Sequence, residues 1–65
     1  MTSIKIIATR DTEGLFPRRT GEVIKEVNTE KVAEINANSK SIRIRYKNGL
    51  LEIYRTDAAR LEVIA

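Results

Sequence analysis

The dipeptide Asn48-Gly49 is the feature that most constrains how this chain can fold. It separates two runs rich in β-branched and aromatic residues, 42–47 and 50–55. Asn-Gly between such runs predicts a β-hairpin closed by a two-residue type I′ turn, in which both central residues have a positive φ. That turn sets the cross-strand pairs Lys47–Leu50, Tyr46–Leu51, Arg45–Glu52, Ile44–Ile53 and Arg43–Tyr54. The apolar pairs then share one face of the hairpin and the basic residues share the other.

Three further segments have the pattern of short strands. Residues 4–9 alternate, with Ile4, Ile6 and Ala8 on the inner face, and residues 20–27 and 61–64 complete the set. Val23 and Val27 are the predicted core positions of the second strand, and Gly21 predicts a bulge or sharp bend near its start. Residues 10–19 form a long loop. Residues 56–60 predict a single 3-10 turn before the last strand.

Residues 28–38 permit two interpretations. Thr29 could cap a short helix, or the chain could turn at 28–30 and run as a strand from Val32 to Ala37. We favour the strand because eleven residues barely make a helix, and Asn36 and Asn38 are weak helix formers.

Composition excludes several classes of function. The chain has 65 residues and neither cysteine nor histidine, so thiol nucleophiles, imidazole bases and ordinary zinc sites are impossible. We expect one domain over residues 1–65, with no catalytic residue, no metal and no cofactor. No apolar run approaches the roughly 18 residues of a membrane span. The absence of cysteine fits a cytoplasmic protein without membrane contact.

The order of elements resembles an SH3-like barrel: five short strands, a long first loop, a tight hairpin and one 3-10 turn. The segment 18–27, with a basic residue, Gly21, Val23 and Val27 in series, looks like the pattern of KOW-type barrels. The resemblance implies an all-β, five-stranded SH3-like barrel with a 3-10 turn before the last strand. It implies no single function, because many functions share that fold.

The segment Leu51-Glu52-Ile53-Tyr54 is similar to the Val-Gln-Ile-Tyr strand of the type II dihydrofolate reductases. Those enzymes are tetramers of short SH3-like barrels around one pore, and the strand contacts folate and nicotinamide. The resemblance therefore implies an oligomeric reductase as a remote alternative. Here Glu52 stands in place of the glutamine, so fourfold symmetry would set four carboxylates beside anionic ligands, which electrostatics disfavours.

The basic residues give the main functional prediction, a non-catalytic module that binds nucleic acid. The net charge is +3. Guanidinium groups contact phosphates while an exposed tyrosine ring stacks on a base. The predicted binding residues are Arg18, Arg19, Arg43, Arg45, Lys47, Tyr54 and Arg55. The alternative is a small accessory subunit, resembling the free-standing SH3-like subunits of larger complexes, which docks an acidic protein through the same face. A structural interpretation competes with both, since Arg45–Glu52 and Arg43–Tyr54 would then be ordinary cross-strand contacts.

Apolar residues outside the predicted core suggest a homo-oligomer. Ile7, Ile24 and Leu50 fall on outward faces, and an interface with a second copy would supply burial that so short a chain lacks. The competing interpretation is that the strand pattern slips at a bulge. Phe16, in the long loop, is predicted to cap the barrel rather than to await a partner.

Overall fold

Short antiparallel strands make up most of the structure, a computed structural model that describes residues 2–64. The six strands are β1 Ser3–Ala8, β2 Val23–Asn28, β3 Val32–Ala37, β4 Ser41–Tyr46, β5 Leu51–Arg55 and β6 Ala59–Ile64. They form two three-stranded sheets, ordered β2-β1-β6 and β3-β4-β5. The predicted all-β class is confirmed, and every strand contains at least one of the β-branched residues that favour extended backbone.

The chain passes from the first sheet to the second through a short 3-10 helix, Thr29–Lys31. The Asn28 side chain caps it by accepting a hydrogen bond from the Glu30 N–H at 2.9 Å. The favoured strand at 32–37 is confirmed, and β3 ends where Asn38 accepts hydrogen bonds from the Lys40 and Ser41 N–H groups. These bonds close the tight turn into β4.

The core lies between the facing sides of the two sheets. Its buried residues are Ile4, Ile6, Val27, Ile42, Ile44 and Ala59. Each buried isoleucine contributes about 1.5–3 kcal/mol, so the isoleucines of β1 and β4 dominate the stability. The predicted inner face of β1 is therefore confirmed.

A β-bulge in β2 overturns two of the predicted positions, and a third, Ile7, is buried on β1. Ile6 pairs with Lys25 and Ile7 pairs with Val23, so Ile24 is an extra residue between them. Ile24 packs against the core, Val23 is exposed and Ile7 is buried. The predictions that Ile24 faces outward and that Val23 lies in the core are wrong, because the bulge breaks the alternation of β2. The prediction that Ile7 faces outward is also wrong in that Ile7 is buried, although the regular alternation of β1 places it on the face opposite Ile6.

The hairpin is present, but its turn is not type I′. The Tyr46 N–H donates to Leu50 O at 2.8 Å and the Gly49 N–H donates to Tyr46 O at 3.0 Å, which defines a three-residue loop. Gly49 has a φ of +94°, and no described non-glycine residue has a positive φ. This is a type I turn followed by a glycine bulge, the usual geometry of three-residue hairpin loops. Asn48 supports it by accepting from the Leu50 N–H at 3.0 Å.

The longer loop moves the pairing of β4 with β5 by one residue. The observed pairs are Arg45–Leu51, Ile44–Glu52, Arg43–Ile53, Ile42–Tyr54 and Ser41–Arg55. Because side chains alternate between the faces of a strand, a shift of one residue turns every side chain of β5 to the opposite face. The predicted pairs are therefore wrong.

The predicted five-stranded barrel is wrong in its number of strands, and the described strands do not close into a barrel. There are six strands, and within residues 2–64 no strand pairing joins the two sheets.

A single turn does precede the last strand, where the Ala58 N–H donates to Arg55 O at 3.1 Å. The long loop spans residues 9–22 and contains one isolated bridge, Thr12 to Arg18. No helix in the described chain is long and apolar enough to cross a membrane.

Candidate interaction surface

The shifted register creates an exposed surface that the sequence did not predict. We call it the outer face: the side of the β3-β4-β5 sheet turned away from the core. Its residues are Glu34, Asn36, Arg43, Arg45, Leu51, Ile53 and Arg55. The alternation of β4 explains the arginines, because burying Ile42 and Ile44 turns Arg43 and Arg45 outward.

Two aliphatic residues lie in the middle of the outer face. Leu51 is 48% exposed and Ile53 is 57% exposed. Leu51 lies opposite Arg45, and Ile53 lies opposite Arg43. The expected register would have placed both on the core side, so no signal in the hairpin pattern pointed to them as surface residues.

The charges of the outer face are partly neutralised. Arg45 forms an ion pair with Glu34 at 2.6 Å, and Arg55 forms one with Asp57 at 3.0 Å. Asn36 donates to the other Glu34 oxygen at 2.8 Å. Arg43 has no ion pair with any of residues 2–64. Three guanidinium groups against two carboxylates leave this surface net positive.

Tyr54 lies on the opposite side of the sheet from the arginines, which corrects its predicted placement. It pairs with Ile42 and packs against the core. A ring in that position cannot stack on a base held at the outer face. The expected Arg43–Tyr54 contact is wrong for the same reason.

Glu52 is also turned inward, so its expected ion pair with Arg45 is wrong. Its carboxylate instead accepts from Lys25 Nζ at 2.7 Å and from the Tyr46 hydroxyl. Lys25 Nζ also lies 5.4 Å from the centre of the Tyr46 ring, within the range of a cation–π contact. The four polar side chains Lys25, Tyr46, Glu52 and Tyr54 make a network at the margin of the core.

The pKa values of this network follow from burial and hydrogen bonding. Burial, followed by the hydrogen bond to Glu52, raises the pKa of Tyr46 to about 12, and burial raises the pKa of Tyr54. Burial acts to raise the pKa of Glu52 as well, but the hydrogen bonds from Lys25 and Tyr46 outweigh it and hold that pKa below its usual value. The carboxylate therefore stays ionised and the phenols stay neutral near pH 7, which suits a structural network.

The arginines of the long loop do not extend the outer face. Arg18 lies 3.7 Å from Glu22, the residue that precedes β2 of the other sheet. Arg19 lies 3.5 Å from Asp11. The structure thus divides the seven predicted binding residues: Arg43, Arg45 and Arg55 lie together, whereas the other four, Arg18, Arg19, Tyr54 and Lys47, lie elsewhere.

Lys47 belongs to a third region, at the tip of the hairpin. Its N–H donates to Lys31 O at 3.0 Å. A shallow depression there is lined by Glu30, Lys31, Tyr46, Lys47 and Asn48. Sequence reasoning missed Lys31, because only the tertiary fold brings the 3-10 helix beside the hairpin. The nearby Leu50 is exposed, as predicted.

Phe16 does not cap the core. It is 77% exposed, and the adjacent Leu15 is more exposed still. The surrounding loop carries both signs of charge, including the pairs of Arg18 with Glu22 and Arg19 with Asp11.

Residues 2–64 contain no group of three or more side chains suited to hold a metal ion.

Comparison of the chain with protein-family models, with curated proteins and with solved structures finds no match. The resemblances to KOW-type barrels and to type II dihydrofolate reductases therefore stay predictions. The function has to be argued from the surfaces described above.

Proposed function

We propose that this chain is a non-catalytic interaction module that docks an acidic segment of another protein on its outer face. One observation supports this most directly: Leu51 and Ile53 are exposed side by side among three arginines. An apolar centre within a charged rim is the usual anatomy of a protein–protein interface.

The composition of the outer face favours protein over nucleic acid. Covering Leu51 and Ile53 gains free energy only against an apolar partner surface, at about 25 cal/mol for each Å² buried. A nucleic acid would use phosphate contacts and base stacking instead. The outer face offers no aromatic ring on which a base could stack.

We also propose that the two sheets form an open variant of the SH3-like architecture that the sequence resembles. β2 and β3 follow one another along the chain, and each pairs with a strand of a different sheet. One bent strand shared by two sheets would give the same pairing, with the 3-10 helix Thr29–Lys31 as the bend. The outer face is then the solvent side of the second sheet.

A second candidate, nucleic-acid binding, rests on the tip of the hairpin. Lys31 and Lys47 are exposed, lie beside each other and form no ion pair with any of residues 2–64. Two such ammonium groups can contact adjacent phosphates. This site is separate from the outer face, so the two functions respond to different substitutions.

The test compares three labelled probes by fluorescence anisotropy: a short peptide of alternating aspartate and valine, single-stranded DNA and duplex DNA. At about 0.15 M salt, where surface charges are strongly screened, we expect the peptide to bind more tightly than either DNA. The double variant Leu51→Ser with Ile53→Ser should weaken peptide binding at least tenfold.

The matched control is Leu50→Ser, because Leu50 is equally aliphatic and exposed but lies at the hairpin tip. It should leave peptide binding unchanged. If DNA binds and Lys31→Glu with Lys47→Glu abolishes that binding, the second candidate is correct. The protein-docking proposal is refuted if the peptide does not bind, or if it binds the double serine variant as tightly as the wild type.

A further inference from the structure

The edge of β5 that faces away from β4 has no strand partner among residues 2–64. Among residues 2–64, β5 pairs only with β4. Backbone bonds mark both ends of that pairing: Tyr46 N–H to Leu50 O at 2.8 Å, and Thr56 N–H to Lys40 O at 3.2 Å. Bonded and non-bonded pairs alternate along an antiparallel ladder. These two contacts therefore determine which residues between them point their backbone groups towards β4.

In this alternation Glu52 and Tyr54 direct their backbone groups to β4. Leu51 and Ile53 lie at the non-bonded positions, so their N–H and C=O groups point to the open edge. The same two residues carry the exposed side chains of the outer face. Leu51 and Ile53 therefore supply both the backbone groups that can pair with a new strand and the apolar side chains that can contact it.

We propose that an extended segment of an acidic partner protein binds this edge as an additional antiparallel strand of the β3-β4-β5 sheet. This inference rests on the proposed function and specifies its mode of binding. Main-chain hydrogen bonds to Leu51 and Ile53 hold the segment, and alternate side chains of the segment meet the outer face. Residues directly opposite one another interact most strongly. The segment therefore carries aliphatic residues opposite Leu51 and Ile53, and an acidic residue opposite Arg55.

The acidic residue has to compete with Asp57, which pairs with Arg55 at 3.0 Å. Both side chains of that pair are more than half exposed. An exposed ion pair contributes little free energy, so exchanging one carboxylate for another costs little. Arg43 adds positive charge nearby and has no ion pair of its own within residues 2–64.

A second copy of the chain is a poorer occupant of the same edge. Antiparallel pairing of two β5 strands about Ile53 would set Arg55 of each copy against Leu51 of the other. It would also bring Arg43, Arg45 and Arg55 of both copies onto one continuous face. Like charges gathered in this way repel, whereas an acidic segment neutralises them.

The test uses a capped synthetic peptide of sequence Asp-Thr-Val-Thr-Val, whose aspartate would lie opposite Arg55 and whose valines would lie opposite Ile53 and Leu51. Two N-methylated versions separate the modes of binding. Methylation of the first valine removes a donor to the edge, whereas methylation of the second threonine alters an N–H that points to solvent. We expect the first change to weaken binding at least tenfold and the second to change it less than about threefold.

A charge exchange tests the orientation. Arg55→Glu should weaken binding of this peptide and strengthen binding of the version in which lysine replaces aspartate. If both N-methylated peptides bind as well as the parent, while Leu51→Ser still weakens binding, the outer face docks proteins without strand addition. That result refutes the inference and leaves the proposed function intact.

Two other results would overturn the strand-addition proposal. One is that the alternating aspartate–valine probe binds while the five-residue peptide in every version does not. The other is sedimentation showing a dimer that Ile53→Ser dissociates, since the edge would then belong to a second copy. Failure of every acidic peptide would refute the proposed function itself.

Discussion

Breaking the contact between Lys25 and Glu52 provides the most direct check on the register of the hairpin. The ion pair joins β2 to β5 across the margin of the core, at 2.7 Å. In the register with a two-residue turn, Glu52 would instead lie on the other face beside Arg45. A double-mutant cycle with Lys25→Met and Glu52→Gln isolates the pair, because glutamine keeps an oxygen that can accept from Tyr46.

The exposure of the pair sets the size of the expected coupling. The side chains are 43% and 30% exposed, which places the pair between an exposed and a buried ion pair. Exposed pairs are worth about 0.2–1 kcal/mol, and hydrogen bonds to charged groups about 1.5–3 kcal/mol. We expect a coupling free energy of about 1 kcal/mol. The corresponding cycle between Arg45 and Glu52 should give less than about 0.3 kcal/mol, because the two lie on opposite faces.

Urea unfolding of the wild type, the single variants and the double variants measures both couplings. For a domain of this size, 1 kcal/mol corresponds to about 4–8 °C in Tm, so thermal unfolding provides an independent readout. A coupling of Arg45 with Glu52 larger than that of Lys25 with Glu52 would refute the observed register. It would also remove Leu51 and Ile53 from the outer face.

Glu52 also makes the free energy of unfolding depend on pH, and the direction of that dependence follows from its lowered pKa. In the folded protein the pKa of Glu52 lies below its usual value of about 4.5. Its contribution to stability is therefore complete above that value and is lost as the pH falls through the folded pKa. We expect Glu52→Gln to reduce the acid sensitivity of the unfolding free energy, measured by urea titrations across this range. If the unfolding free energy of Glu52→Gln falls with decreasing pH as steeply as that of the wild type, the lowered pKa of Glu52 is contradicted.

Three further predictions concern the core, the tyrosine network and the turn. Ile44 is 0% exposed, so Ile44→Ala should cost about 2–5 kcal/mol in urea unfolding, whereas Ile53→Thr at the exposed position should cost less than about 1 kcal/mol. The contribution of neutral Tyr46 to the free energy of unfolding should be complete up to the ordinary tyrosine pKa of 10.0 and be lost as the pH rises towards about 12. In an ultraviolet titration, Tyr46→Phe should remove the tyrosine transition with the highest pKa. Gly49→Ala should cost about 1–2 kcal/mol because its φ is +94°, and Gly49→Asn should cost less, as Asn tolerates that conformation better; equal losses would argue against a positive φ.

Local periodicity was enough to predict much of the fold. The inner face of β1 followed from the spacing of Ile4, Ile6 and Ala8. The strand at 32–37 followed from the shortness of segment 28–38 and from the weak helix propensity of Asn36 and Asn38. Both depend only on residues close together in the chain, which is why they were readable from the sequence.

The outer face was only half predictable. Arg43 and Arg45 were placed correctly on a solvent face, because Ile42 and Ile44, which alternate with them, must be buried. Leu51, Ile53 and Tyr54 were placed on the wrong faces, because their sides depend on the length of one loop. Asn48-Gly49 fits either a two-residue turn or a three-residue loop with glycine at the bulge, and the two differ by one residue in register.

Sequence alone determined the all-β class, the positions of the turns and the exclusion of thiol and imidazole chemistry. Tertiary structure decided which face of β5 meets the core, that the bulge of β2 lies at Ile24, and that Lys25 pairs with Glu52. The physical reason is that alternation identifies two faces of a strand without saying which of them is covered. That choice is made by packing against residues distant in sequence, and here it turned Leu51 and Ile53 to solvent.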